Sequence, residues 1–156
     1  MIIRGLLLLT GLAPIIGVNL AYWIGVQYAN LPECIPYLDG CTSISSTGRY
    51  PPGDRLFRAV MLPQAVLLTV TWYLTTLWLR ARRPDVKHTT TILVGGIGGA
   101  AALILYVSYL ASHDPFYELM RRSGIYFYFV LTALAQIVTT LSMERSRLRS
   151  AMLFIM

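Results

Sequence analysis

Charge is what this 156-residue chain has least of: Asp, Glu, Lys and Arg make up 13% of it, about half the share usual in a soluble domain. The deficit is uneven, because four long windows are almost uncharged and the charges crowd between them. No Asp, Glu, Lys or His falls inside any window. The single arginine that does, Arg58, stands at the very start of the second. Proton relays, voltage sensors and most ion pathways need ionisable groups at membrane depth, so this absence argues against a pump, a proton-coupled transporter or an intramembrane protease. Cysteine is scarce as well. Cys34 and Cys41 are the whole complement, and neither a CxxC pair nor a zinc-type ligand spacing can be built from them. A phosphate-cradling loop is also missing: the glycine-rich run GGIGGAAA has no strand before it and no Lys-Ser/Thr after it, as such a loop requires.

What is present is apolar surface in membrane-sized lengths. The hydrophobic share is 56% and the mean hydropathy +0.60. The windows run over 5–25, 57–79, 91–110 and 124–142, each near the roughly 20 residues that cross a bilayer core about 30 Å thick. The expected fold is therefore all-α: a polytopic membrane bundle of four transmembrane helices forming one membrane domain over residues 1–156. Arg4 followed by leucines also resembles a signal peptide, but the first window is long, holds Pro14 in its middle and lacks a small-x-small cleavage site, so it is read as a retained span. The closing AMLFIM is too short to cross and is read as interfacial or as the start of a fifth helix.

The net charge of +6 and pI near 9.6 fit membrane orientation better than nucleic acid. With the N terminus inside, the inner side carries Arg4, Arg80, Arg82, Arg83, Lys87, Arg145, Arg147 and Arg149 against Asp85 and Glu144. The outer side carries Arg49, Arg55, Arg58, Arg121 and Arg122 against Glu33, Asp39, Asp54, Asp114 and Glu118, which cancel. Eight basic residues against five place both termini inside, with the long loop 27–54 on the extracytoplasmic or lumenal side.

That loop is rich in Pro, Gly, Ser and Thr and reads as turns; connections so long tend to be functional or disordered. Cys34 and Cys41 lie in it, either bridged, as an oxidising outer compartment favours, or as two ordinary thiols. Within the spans, Asn19 and Gln64 both sit about 10 Å below the outer surface. They are expected to hydrogen-bond across the first helix pair, with a lipid-headgroup cavity as the alternative role. Pro14 and Pro63 should free backbone carbonyls that a neighbour or water must satisfy. Gly95 with Gly99, and Gly98 with Ala102, form small-xxx-small faces along which another helix can approach. Tyr22, Trp23, Trp78 and Tyr126–Phe129 read as interfacial belts. His113 and Asp114 are read chiefly as a solvated loop pair and only weakly as an acid/base pair, since no nucleophile or second ligand is placed beside them.

One stretch reads as a motif: Thr42 to Arg58, TSISSTGRYPPGDRLFR. Through Ile44, Ser45, Thr47, Gly48, Pro51, Pro52, Asp54, Arg55 and Phe57, taken in order, it resembles the extracytoplasmic loop of the Frag/DRAM-type membrane proteins. These include damage-regulated autophagy modulators and GPI-anchor lipid-remodelling factors. Gly53 separates the proline pair from the acid and shifts its register. The family has six spans, so the resemblance implies a chain shortened at its C terminus. It also implies a non-catalytic, lipid-handling or lipid-remodelling role. Apart from the family, Asp54, Arg55 and Arg58 stand above the second span, where they would clamp the loop by an ion pair or hold a lipid phosphate bidentately.

The expected partners are membrane lipids and other transmembrane helices or subunits, with no nucleic acid, metal or other cofactor. Three roles follow: a lipid-handling protein, a small accessory subunit of a larger membrane complex, and, last, a lipid-acting enzyme using His113 and Asp114.

Overall fold

The computed structural model of the chain describes residues 2–85, 87–112 and 114–143, with side chains from residue 5 onward. His113, the basic residues Arg145, Arg147 and Arg149, and the apolar tail 151–156 lie outside the described residues. The described chain is helical, with α1 Ile2–Gln27, α2 Pro36–Asp39, α3 Ile44–Thr47, α4 Gly53–Arg82, α5 Thr89–Ser108 and α6 Pro115–Ser142. Of these, α1, α4, α5 and α6 are long and apolar enough to cross a membrane, as the four nearly uncharged windows require.

The helices reach beyond the windows wherever charge occurs without breaking the backbone pattern. The second starts at Gly53 rather than near 57, taking in Asp54 and Arg55. The fourth starts at Pro115 rather than near 124. Proline at a first helical position loses no hydrogen bond there, and Glu118 pairs along the same helix with Arg121 at 3.4 Å and Arg122 at 2.6 Å.

Packing runs as an open row. Helix α1 lies on α4, α4 on α5 and α5 on α6, while α1 and α6 do not meet. One core cluster sits at the end nearest the long loop, built on Phe57, Met61, Leu103, Tyr106, Val107 and Leu110 with Val18 and Ala21 of α1. The other joins Leu68, Trp72 and Leu79 of α4 to Ile92 and Ala100 of α5 and Ala135 of α6.

Small residues set how closely these helices approach. A Cβ added at Gly124 would lie 2.8 Å from the backbone nitrogen of Tyr106, and one at Gly99 would lie 2.6 Å from the Thr132 hydroxyl. Gly95 faces the Leu131 carbonyl and Ala135, Gly98 faces Leu131, and Gly96 takes the Trp72 ring of α4. The helix that comes close to the Gly95, Gly98 and Gly99 stripe is therefore the chain's own α6, and the buried Ala102 stands against Gly124 in the same seam.

The first helix pair is locked by a bond across a broken turn. Pro14 has no N–H to give the carbonyl four residues before it, which is that of Thr10. The Gln64 amide of α4 donates to the Thr10 carbonyl at 2.5 Å, and the Thr10 and Thr71 hydroxyls meet at 3.2 Å. Asn19 differs from expectation: its amide donates to Ile15 of its own helix and to the Tyr37 hydroxyl of α2, so it ties α1 to the loop and not to α4.

Candidate functional site: a lateral apolar pocket

The loop between α1 and α4 folds back over the end of the bundle. Cys34 and Cys41 are bridged. Gly40 closes α2 in a left-handed conformation at φ 61°, which favours glycine. Ser43 caps α3 through a reciprocal box with Ser46. Tyr22 serves as more than an interfacial belt: its hydroxyl donates to the Cys34 carbonyl at 2.7 Å and accepts from the Cys34 N–H at 3.1 Å. Further on, Asn30 donates to the Pro51 carbonyl. The Ser45 and Tyr106 hydroxyls meet at 2.8 Å, which fixes α3 to the third span.

Beneath this roof is a cavity of about 580 Å³, within the roughly 300–1,000 Å³ usual for small-molecule sites. Each of the described helices contributes. Helix α1 gives Pro14, Ile15, Val18 and Asn19; the loop gives Tyr37, Ile44 and Ser45; α4 gives Phe57, Met61 and Gln64. The far wall is Leu103 and Tyr106 of α5 with Ile125, Tyr128 and Phe129 of α6. Because α1 and α6 both form walls without touching, the cavity opens sideways between them. Its rim is apolar and exposed, with Ile15, Ile44 and Phe129 all more than half accessible. Its few polar groups are Asn19, Tyr37, Ser45, Tyr106, Tyr128 and Gln64, and Gln64 keeps a buried Oε1 with no partner.

The motif residues are divided by the fold. Ser45 lines the cavity. Thr47 is buried and spends its hydroxyl on the Ile44 carbonyl. Gly48 lies where a Cβ would strike Leu110 and Phe57. Asp54 and Arg58 are half-buried one turn apart on α4, whereas Arg55 is exposed.

The expected ion-pair clamp is not formed. Among the described residues the ion pairs are those of Glu118, and neither Asp54 nor the arginines beside it take part in one. Asp54 Oδ1, Arg58 Nε and Arg49 Nε are instead buried without partners. Neutral hydrogen bonds hold the loop, and sequence reasoning missed two of the anchors, Tyr37 and Tyr106. For Tyr106 the available signal was a tyrosine inside an otherwise apolar span, since a buried phenol needs a partner; Tyr37, exposed in the loop, gave no such signal. Asp114 sits exposed at the start of α6 and caps nothing with its side chain, and no group of three or more His, Cys, Asp and Glu able to hold a metal occurs among the described residues.

Comparison with protein-family models, with curated proteins and with solved structures finds no match for this chain.

Proposed function

We propose that this integral membrane protein handles lipid, taking an acyl chain sideways from the bilayer into the cavity between α1 and α6. The observation that carries the reading is the cavity itself: apolar walls, a lateral mouth between two lipid-facing helices, and a roof bearing hydroxyl and amide groups. A pocket open to water would need more polar lining to stay wet, whereas one open to hydrocarbon fills from the membrane at little desolvation cost. The role agrees with the resemblance of Thr42–Arg58 to Frag/DRAM-type lipid-handling factors. On this reading the loop end of the bundle faces the extracytoplasmic side, which the excess of basic residues at the other end supports.

A phospholipid carrying a photoreactive diazirine in its acyl chain tests the proposal. Labelling should concentrate on Ile15, Met61, Ile125 and Phe129, compete with excess unlabelled lipid, and fall in an Ile125→Trp variant that fills the cavity. Labelling that does not saturate and is just as strong on the outward Leu134 and Leu141 would mean ordinary boundary lipid, and would sink the reading.

The second reading, a small subunit of a larger membrane assembly, rests on α1. Its apolar face Leu7, Leu8, Leu12, Ile15 and Ile16 is exposed, and among the described residues α4 is the one spanning helix it touches. The native mass of the gently extracted particle separates the two, since stoichiometric protein partners favour the subunit and a small lipid-loaded particle favours lipid handling.

A further inference from the structure

At the loop end of the cavity two arginines stand one step outward from residues that line it. Arg121 lies one helical turn before Ile125 and two before Tyr128, on the same side of α6, and both of those line the cavity. Arg49 follows Gly48, which is wedged against Leu110 and Phe57, and it lies four residues beyond Ser45 of the roof. Arg121 donates to the Leu110 carbonyl, so both arginines converge on the Leu110 end of α5. Both also lie within electrostatic range of the Tyr106 hydroxyl, one turn below Leu110.

Neither guanidinium is well satisfied. Arg49 Nε is buried with no partner, and no described carboxylate comes within salt-bridge distance of Arg49. Arg121 is only 13% exposed, yet its contacts to Leu110 and Glu118 are both long, at 3.4 Å. Glu118 accepts its short bond, 2.6 Å, from the exposed Arg122 instead. A guanidinium largely withdrawn from water without a strong acceptor is costly, and a phosphate is the acceptor it fits best.

We infer that Arg49 and Arg121 form a phosphate site at the head of the cavity, so that the ligand is an anionic phospholipid whose acyl chain lies below Ser45 and Tyr106. The inference rests on the lipid-handling reading and narrows it from any apolar chain to a phosphate-bearing lipid. A free phosphate would satisfy the same arginines, and only a lipid would use the cavity too.

The test uses the full chain in a maltoside detergent, which contributes no phosphate. Short-chain phosphatidic acid, the matching diacylglycerol and inorganic phosphate are titrated separately, with binding followed by native mass spectrometry. Phosphatidic acid should bind at least about ten-fold more tightly than either of the others, and Arg49→Gln or Arg121→Gln should each remove about ten-fold of that affinity. Arg49→Lys, which keeps the charge, should recover part of the loss, and Arg82→Gln at the opposite end of α4 should change nothing. Unaltered helical signal and melting transitions in the glutamine variants exclude misfolding as the cause.

Equal affinity for phosphatidic acid and diacylglycerol would overturn the phosphate site and leave the acyl pocket standing. Inorganic phosphate binding as tightly as phosphatidic acid would overturn the lipid assignment. If neither lipid binds, both readings fall together.

Discussion

At the scale of single residues, the most informative group is the triad Thr10, Pro14 and Gln64. Hydrogen bonds between membrane helices usually contribute little, because either partner can find another when the helices separate. Here the acceptor is a carbonyl that its own helix cannot serve, since Pro14 removed the donor. Gln64→Leu should therefore destabilise the bundle by about 1–2 kcal/mol, near the upper end for such bonds, seen as a lower melting temperature in detergent. Pro14→Ala restores the N–H, and in that background Gln64→Leu should cost markedly less. Equal costs in both backgrounds would show that the proline and the glutamine are independent. That Gln64 would bond across the pair was legible from its type and depth. The fate of Asn19 was not, because nothing in a linear pattern says that α2 brings Tyr37 within 3.0 Å of it.

At the scale of elements, the four spans were legible because their signal is physical and local: a helix must satisfy its own backbone in hydrocarbon, and apolar length shows directly in composition. The ends of α4 and α6 were not. A window defined by scarce charge stops where charged residues cluster, whereas a helix continues while its hydrogen bonds and i,i+4 pairs allow, as α6 does through Glu118, Arg121 and Arg122. The roof over the cavity was legible as a loop, but its shape depends on contacts with Tyr22 and Tyr106, far away in the chain. Two predictions test that shape. Replacing Cys34 and Cys41 by serine removes a bridge spanning seven residues of sequence, which should cost about 2 kcal/mol. Amide exchange should accelerate over 33–41, while α5 stays protected because its bonds are independent of the loop. Tyr106→Phe removes only the hydroxyl that meets Ser45, and should loosen 43–50 by about 1 kcal/mol. Unchanged exchange there would mean that the Gly48–Phe57–Leu110 packing holds α3 unaided.

At the scale of the whole molecule, the open row makes the bundle unequal. Among the described residues helix α5 is covered on two sides, while α1 and α6 each hang on a single spanning neighbour, and the cavity exists because those two outer helices do not close on each other. The wall formed by α6 thus depends on the glycine seam of α5. That a small-residue stripe would receive a helix was legible from Gly95, Gly98, Gly99 and Ala102; which helix it receives depends on the fold, and within this chain it is α6. A leucine at Gly99 would bring its Cβ to 2.6 Å from the Thr132 hydroxyl, and its further carbons would find no room in a seam where the Thr132 amide and the Tyr128 carbonyl already stand at contact distance, 3.5 and 3.6 Å. Overpacking of this kind typically costs about 1–3 kcal/mol. Because α6 has no second spanning partner, the strain should appear as separation of α6 and not as gradual softening. Gly99→Leu should still insert into membranes, since each span is apolar enough by itself. It should melt earlier, become cleavable in the 109–114 connection, and lose saturable lipid labelling at Ile125 and Phe129. Leu134→Ala, on the exposed face of the same helix, should do none of these. If Gly99→Leu instead left the isolated chain as stable as before and released a co-purifying subunit, the stripe would be serving a partner helix, and the small-subunit reading would displace the lipid-handling one.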